Sequence, residues 1–150
     1  MSIKILSPFG PRMAKLSLPN TLLNLINKEV DKIISNKILS KQYNYSKKLA
    51  GEVEQEIELP KTFVHKFLKK FFESNIRDFV KQSTGKVTKK IILKNFWVVR
   101  QFANDYNPIH FHDGDISGVG YLQLPKNLNK SKKNTRRMGL LILSMEVGCC

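Results

Sequence analysis

The sequence predicts an α+β domain in which helices brace one face of an antiparallel sheet. In the first half of the chain, apolar residues recur mostly at the spacing of helices, and in the second half they recur at the two-residue spacing of strands. This order is typical of an α+β domain rather than of alternating βαβ units. The length of 150 residues suits one domain, so we expect residues 1–150 to form a single domain around one core.

The first predicted elements are two short strands and a helix. Residues Ile3–Leu6 and Arg12–Leu18 are separated by proline and glycine residues that are typical of a turn. A helix is predicted after Pro19, because one apolar stripe follows at helical spacing: Leu22, Ile26, Val30 and Ile33. Residues Asn36–Ala50 are polar and rich in lysine, and we expect an irregular loop there.

A strand with alternating glutamates is predicted next. A period of two places one set of side chains on a single face: Glu52, Glu54, Glu56 and Glu58. Carboxylates on one face suggest acid–base catalysis. However, no catalytic role is needed to explain a row of carboxylates on the solvent-facing side of a strand in a protein with net charge +14. We therefore expect this face to be exposed.

The strongest helix signal lies between Pro60 and Gly85. Pro60 suits the first turn of a helix, and Gly85 suits a left-handed C-terminal cap. His65 lies on the lysine-bearing side and is expected at the surface. Between the two ends runs a wide apolar stripe: Phe63, Val64, Phe67, Leu68, Phe71, Phe72, Ile76, Phe79 and Val80.

Three strands are predicted after this helix. Residues Val87–Leu93, Phe96–Phe102 and Ile116–Leu124 are rich in β-branched and aromatic residues, with turn-forming residues between them. These strands would form the sheet that the helices cover.

The charge of the chain raises nucleic acid as a partner. Lysine and arginine number 26 against 12 aspartate and glutamate. The basic residues are spread along the chain, and the one dense run, Lys126–Arg137, holds no aromatic residue on which a base could stack. A solvated loop is the favoured interpretation of this run, so nucleic acid is an alternative partner that we do not favour.

Neither a membrane span nor a disulfide framework is expected. The longest apolar runs, Phe96–Val99 and Leu140–Leu143, are far shorter than the roughly 20 residues of a membrane helix. Residues Met1–Pro11 lack the apolar stretch of a secretory signal. Cys149 and Cys150 are adjacent, so they close no useful loop and form no zinc-ligand pair. We therefore expect a cytoplasmic protein.

The polar residues with the clearest chemical potential lie between Asn104 and Asp115. On an extended segment, His110 and His112 project to the same side and can bind one metal ion. Asp113 and Asp115 could add a carboxylate or orient a ring. A His-x-His pair alone is a weak signal, and the competing interpretation is a polar loop in which both histidines only form hydrogen bonds.

Three runs of sequence around this pair resemble a known enzyme family. They are Asn95–Arg100, Tyr106–His112 and Ser117–Pro125. Together they resemble the 2-oxoglutarate- and Fe(II)-dependent oxygenases of the prolyl-4-hydroxylase-like superfamily. The similarity is to a branch frequent in marine bacteria and phages, with the pattern W-x-x…Y-N-x-x-H-x-H…S-G-V-x-Y-L-x-x-P. The matching residues are Trp97, Tyr106, Asn107, His110, His112, Ser117, Gly118, Val119, Tyr121 and Pro125.

The resemblance implies a double-stranded β-helix, or jelly roll, and a hydroxylase-type activity. It implies that His110 binds Fe(II) from the first metal-binding strand and that Tyr121 contacts 2-oxoglutarate. The superfamily usually has H-x-D at this place, so the second ligand is either His112, which stands where the Asp is expected, or Asp115. An open metal site of this kind leaves positions for the keto acid and for O2.

The C-terminal part of the chain departs from the family pattern. The family continues with strands that carry a distal histidine and a basic residue for the keto acid, whereas Met138–Cys150 contains no histidine. Arg136 and Arg137 cannot be matched to that basic residue. We therefore expect an incomplete jelly roll, inactive alone, and if the tail is a frameshift product, Ile116–Leu124 is expected to lack partner strands. A frameshift after Asn134 would explain the departure.

Two other functions fit the same residues. The first is a non-catalytic basic protein that binds nucleic acid through Lys126–Arg137. The second is a metal-binding jelly roll of other chemistry, such as a zinc site, which the identity of the bound metal would distinguish. The sequence does not name a substrate.

Overall fold

The computed structural model describes residues 3–46, 53, 55–102, 105–110, 112–124 and 138–148. It has the predicted mixed α+β architecture with antiparallel sheets. The prediction of an N-terminal strand pair is confirmed, since β1 and β2 form a two-stranded antiparallel sheet. The other strands form one sheet in the spatial order β3-β4-β6-β5. The strands are β1 (Lys4–Leu6), β2 (Met13–Lys15), β3 (Gln55–Glu58), β4 (Lys90–Gln101), β5 (Ile116–Gln123) and β6 (Met138–Gly148).

Helices occupy the chain on both sides of β3. They are α1 (Asn20–Ser35), α2 (Lys37–Gln42), α3 (Lys61–Phe63), a π-helical turn (Val64–Leu68) and α4 (Lys69–Thr84). The predicted stripe of α1 buries Ile26, Val30 and Ile33. The predicted C-terminal cap is also confirmed, because Gly85 has a φ of 73° and its N–H donates to the Lys81 carbonyl at 2.9 Å.

Helix α2 corrects the expectation of an irregular loop. Asn36 starts this helix, because its side-chain oxygen accepts hydrogen bonds from the N–H groups of Ile38 and Leu39 at 2.9 and 3.1 Å. After the helix, Tyr43 and Tyr45 hydrogen-bond to β3 through their backbones. The segment that follows α2 is therefore fixed against the edge of the sheet.

The π-helical turn changes which phenylalanines face the core. A regular helix from Pro60 to Thr84 would place the whole predicted stripe on one side. The wider turn instead buries Val64 and Leu68, while Phe67 is 37% exposed. Past the turn, Phe72 is buried and packs edge-to-face on Phe96 of β4 at 5.2 Å between ring centroids.

Strand β4 separates two hydrophobic clusters. Phe96 and Val98 face the helices and belong to the main core with Leu68 and Phe72. Trp97 points to the opposite side, because successive residues of a strand alternate between faces. Its cluster on that side contains Tyr45, Val53, Trp97, Val99 and Ile142. We call the two sides of the four-stranded sheet the helix face and the outer face.

An ion pair attaches α1 to the sheet. Arg100 belongs to β4, lies on the helix face and is only 5% exposed. Its guanidinium donates to the carboxylate of Asp31 on α1. Because Arg100 is so deeply buried, this carboxylate stabilises a charge that would be costly to leave alone.

The C-terminal strand corrects another expectation. With a frameshifted tail, Ile116–Leu124 was expected to lack a partner, but β6 pairs with β5 from Ile116↔Met145 to Gln123↔Gly139. Strand β6 also pairs with β4 from Lys90↔Gly148 to Gln101↔Met138, with a bulge between Leu93 and Asn95 of β4. It therefore occupies an interior position in the sheet, where Leu141 is 1% exposed. In the described ranges, no helix combines the length and the apolar character needed to cross a membrane.

The interior position of β6 predicts the cost of shortening its side chains. We expect Leu141→Ala to lower the free energy of unfolding by about 2–5 kcal/mol, because it leaves a cavity in the main core. Val119 on β5 is 61% exposed, and Val119→Ala is expected to cost less than about 1 kcal/mol. Urea denaturation of the two variants measures the difference. Equal, small losses would contradict the burial of β6.

Candidate metal centre

The loop between β4 and β5 brings the two sequence-predicted histidines together. It begins where the Asp105 carboxylate accepts a hydrogen bond from the N–H of Phe102 at 2.9 Å. It ends where the Asp115 carboxylate accepts from the N–H of Val147 at 2.7 Å, and the Asp115 N–H donates to Met145 at 2.9 Å. The start of the loop is thus hydrogen-bonded to the residue that follows β4, and its end is hydrogen-bonded to β6.

His110 and His112 approach each other through their Nε2 atoms. These atoms are 3.2 Å apart, and the two rings are perpendicular with centroids 4.7 Å apart. The structure places both residues outside its strands, so the expected strand position of His110 is not observed. The loop, rather than the alternation of a strand, makes the rings converge.

The orientation of His110 exposes the nitrogen that a metal would use. Its Nδ1 lies 2.7 Å from the carbonyl oxygen of Pro108. A carbonyl only accepts hydrogen bonds, so Nδ1 carries the proton and the neutral ring keeps a lone pair on Nε2. This is the arrangement that commonly orients a metal-binding histidine.

His112 lies against an aromatic residue of the outer face. Its ring centroid is 5.4 Å from that of Trp97, which stacks on Tyr45 at the same centroid distance. Burial lowers the pKa of His112, the nearby His110 lowers it further, and Asp113 opposes both effects. The net shift favours the neutral imidazole, which is the form that binds metals.

The geometry of this pair fits two ligands of one transition-metal ion. Two nitrogens bound at about 2.1 Å to the same ion lie roughly 3.0–3.4 Å apart, and the observed Nε2 separation is 3.2 Å. Without a metal, the same separation suits a hydrogen bond in which one Nε2–H donates to the other ring. Across the described ranges, no group of three His, Cys, Asp or Glu side chains converges as a metal site.

The two aspartates after the pair have other partners. Asp113 is exposed and forms an ion pair with Lys94 at 2.9 Å, which holds the pKa of the Asp113 carboxyl below its usual range. Asp115 is the residue that accepts from Val147 in β6. Of the two alternatives for the second ligand, the structure therefore brings His112, and not Asp115, to His110.

Glu56 corrects the prediction that the glutamates of β3 face solvent. It is 1% exposed, and neither carboxyl oxygen has a hydrogen-bond partner among the described residues. Burial raises its pKa to about 7, while His110 lowers it and Asp105 raises it. The outer face at β3 is covered, so alternation predicted the orientation of Glu56 but not its burial. Glu52 and Glu54 lie outside the described residues.

Tyr121, His65 and the basic run are the remaining candidate residues. Tyr121 is on the outer face of β5, 60% exposed, and the β6 register aligns it with Val99 two strands away. At about 4.8 Å per strand, the two Cα atoms are roughly 10 Å apart. His65 is exposed on the π-helical turn, as predicted, with the Lys69 ammonium 3.1 Å from its Nε2. The basic run Lys126–Arg137 lies outside the described residues.

Sequence reasoning missed the surroundings of the pair. Tyr45 was assigned to a loop without a role, and Glu56 could not be told from the other glutamates of its strand. Trp97 was singled out, but only through the resemblance. These residues come together through contacts between segments that are distant in sequence, and no local pattern reports such contacts.

Comparison of this chain with protein-family models, with curated protein sequences and with solved structures found no match in any of the three. The functional interpretation therefore depends on the residues and on the geometry of the site.

The close contact of Gly114 with β6 leads to a prediction about the stability of the loop. Its φ is 106°, and a Cβ at this position would lie 2.7 Å from the carbonyl oxygen of Met145. We expect Gly114→Ala to destabilise the fold by about 1–3 kcal/mol and to shift the ring NMR signals of His112. Gly10 has a φ of 95° with open space around it, so Gly10→Ala measures the backbone cost alone. Identical effects of the two changes would show that the contact with Met145 is unimportant.

The burial of Glu56 predicts a pH-dependent stability. The pKa of Glu56 is raised from 4.5 to about 7, so the folded state holds this proton more tightly than the unfolded state does. Stability is then lost as pH rises through this range. We expect Glu56→Gln to be stabilising at pH 8 by up to about 3 kcal/mol, with little effect at pH 4.5.

Urea denaturation at the two pH values measures this effect. Glu58→Gln, on the same strand and half-buried, is the control for removing one negative charge. A destabilising effect of Glu56→Gln at pH 8 would show that the ionised carboxylate has a stabilising partner in the folded protein.

Proposed function

We propose that this chain is part of a 2-oxoglutarate- and Fe(II)-dependent oxygenase of the hydroxylase type, in the prolyl-4-hydroxylase-like superfamily. The observation that carries the proposal is the Nε2 separation of 3.2 Å between His110, which the resemblance implies is a metal ligand, and His112, one of the two candidates for the second ligand. The Nδ1 contact of His110 to Pro108 supports the same role, because it leaves Nε2 as the basic nitrogen.

The position of the pair on the sheet also supports the proposal. In a jelly roll, one sheet packs face to face on a second sheet, and the inner faces carry the core. Here the helices cover one face of an antiparallel sheet, and the histidines lie on the opposite one against Trp97. We propose that the outer face corresponds to the inner face of a jelly roll.

In this proposal, the residues of the chain bind and orient. His110 and His112 would hold Fe(II), and Tyr121, exposed on the same face, would contact 2-oxoglutarate. Bound iron supplies the coupled reaction in which O2 and 2-oxoglutarate yield succinate and CO2 while a substrate C–H becomes C–OH. Trp97, which stacks on Tyr45, would shield one side of the His112 ring from water.

Binding of the keto acid to iron tests this function. Chelation of 2-oxoglutarate by protein-bound Fe(II) produces a visible charge-transfer absorption, which can be recorded without O2. We expect this band with the unaltered chain at saturating Fe(II) and 2-oxoglutarate. His110→Ala is expected to abolish it, because one imidazole is too weak a ligand set to retain the metal. His65→Ala is the matched control and is expected to keep the band.

Two results would contradict the proposal. Absence of the band in a chain that binds Fe(II) would exclude 2-oxoglutarate as the co-substrate and favour a metal-binding protein of other chemistry. A band that persists in His110→Ala would place the metal elsewhere.

A further inference from the structure

An open cavity lies between the π-helical turn and the first half of β4. Its volume is about 330 Å³, near the lower end of the range for small-molecule sites. Its floor is apolar, because Leu59, Ile91 and Phe96 line it and all three belong to the main core. Neither histidine of the candidate metal centre lines the cavity. It is therefore a separate feature on the helix face of the sheet.

Irregularities in two facing elements border this cavity. On the helix side, Val64 and His65 belong to the π-helical turn. On the sheet side, Leu93 and Lys94 lie at the bulge of β4, where the pairing with β6 shifts between Leu93 and Asn95. A π turn and a β-bulge each contain one extra residue, so the two elements do not pack as closely as a regular helix on a regular strand. Both irregularities are frequent at functional sites, and here they open onto the same space.

Lys69 places a positive charge at the cavity without a carboxylate to neutralise it. This lysine is half-buried and lines the cavity, and its Nζ lies 3.1 Å from the Nε2 of His65. An ammonium group only donates hydrogen bonds, so this Nε2 accepts and the imidazole is a neutral partner. Glu73, one turn further along α4, has its carboxylate 4.0 Å from Arg77. Among the described residues, Lys69 forms no ion pair.

The other charges of the lining also favour an anion. Three lysines and two glutamates line the cavity, so its formal charge is positive. One of these lysines, Lys94, is paired with Asp113 at 2.9 Å. Lys61 lies at the exposed rim and, like Lys69, forms no ion pair with a described residue. A ligand that carries one negative charge would compensate the excess.

We propose that this cavity binds a small organic anion, namely a monocarboxylate with an apolar body. The carboxylate would accept a charge-assisted hydrogen bond from the Lys69 ammonium, which has three N–H groups and uses one for His65. The apolar body would lie on the floor formed by Leu59, Ile91 and Phe96, where its burial is favourable. Charge fixes the orientation of the ligand, and the floor selects against anions without an apolar part.

Benzoate tests both parts of the proposal, because it joins one carboxylate to one apolar ring. It is titrated into the full chain, and the backbone NMR signals of Val64–Lys69 and Leu93–Phe96 report binding at the two irregular segments. We expect these signals to shift. The neutral isostere benzamide is expected to bind at least about 5-fold more weakly, because it cannot form the charge-assisted hydrogen bond.

Lys69→Met tests the assigned cation, since methionine removes the charge and keeps an unbranched side chain that suits a helix. We expect this variant to bind benzoate at least about 5-fold more weakly and benzamide as the unaltered chain does. Lys70→Met is the matched control, because Lys70 is the next residue of α4, is exposed and does not line the cavity. It is expected to bind both compounds normally.

Four outcomes would overturn the inference. Benzoate that shifts none of these signals would show that the cavity is not a binding site. Equal affinity of benzoate for Lys69→Met and the unaltered chain would remove Lys69 from the site. Inorganic phosphate that binds as tightly as benzoate would show that the apolar floor contributes nothing. If Lys69→Met fails to fold, the comparison of benzoate with benzamide on the unaltered chain decides, and equal affinities there would exclude an anion site.

The test is independent of the proposed function. His110→Ala alters the candidate metal centre and leaves the lining of the cavity unchanged, so this variant is expected to bind benzoate as the unaltered chain does. Loss of benzoate binding in His110→Ala would show that the anion binds at the histidine loop instead of in the cavity.

Discussion

The alternation of side chains along β4 is the constraint on which the rest of the structure depends. Phe96 and Val98 complete the core beneath the helices, and Trp97 and Val99 form the floor of the candidate metal centre. Because one strand serves both faces, a shift of its register by one residue would exchange core and site. Pairing with β6 from Asn95 to Gln101, beyond a bulge at Leu93–Asn95, holds that register, and the ion pair of Arg100 with Asp31 fixes α1 on the same strand.

The site combines a firmly held backbone with polar groups that lack partners. The loop is fastened by Asp105 and Asp115, whose carboxylates bind backbone N–H groups, and by the ion pair of Lys94 and Asp113. Within this frame Glu56 remains without a hydrogen bond among the described residues. Such groups are rare in folded proteins, and the raised pKa of Glu56 lowers the cost by favouring its neutral form. In the loop, the Nε2 atoms of His110 and His112 are 3.2 Å apart, a separation that suits two ligands of one metal ion.

Local patterns predicted the parts of the fold that depend on neighbours in sequence. The apolar stripe from Leu22 to Ile33 predicted α1, the cap at Gly85 was confirmed, and β5 lies where its period of two indicated. The convergence of His110 and His112 was also predicted, although the physical reason differs, since a loop and not a strand aligns them. These features need only information within about one turn or one strand.

The features that sequence could not predict depend on contacts between distant segments. The burial of Glu56 depends on segments distant in sequence, since Tyr45 and Val53 belong to the buried cluster that contains its β4 partner Val99. Nothing in an alternating run of glutamates reports such a cover. The role of β6 was missed because an interior strand without alternating polar residues gives no period-two signal.

The π-helical turn at Val64–Leu68 has a bearing on how related chains can differ in length. Because a π turn contains one residue more than an α turn, a chain with one residue fewer here can continue as a regular helix. Single-residue gaps are thus compatible with this turn, whereas between Phe96 and Gln101 of β4 they would exchange the two faces of the strand.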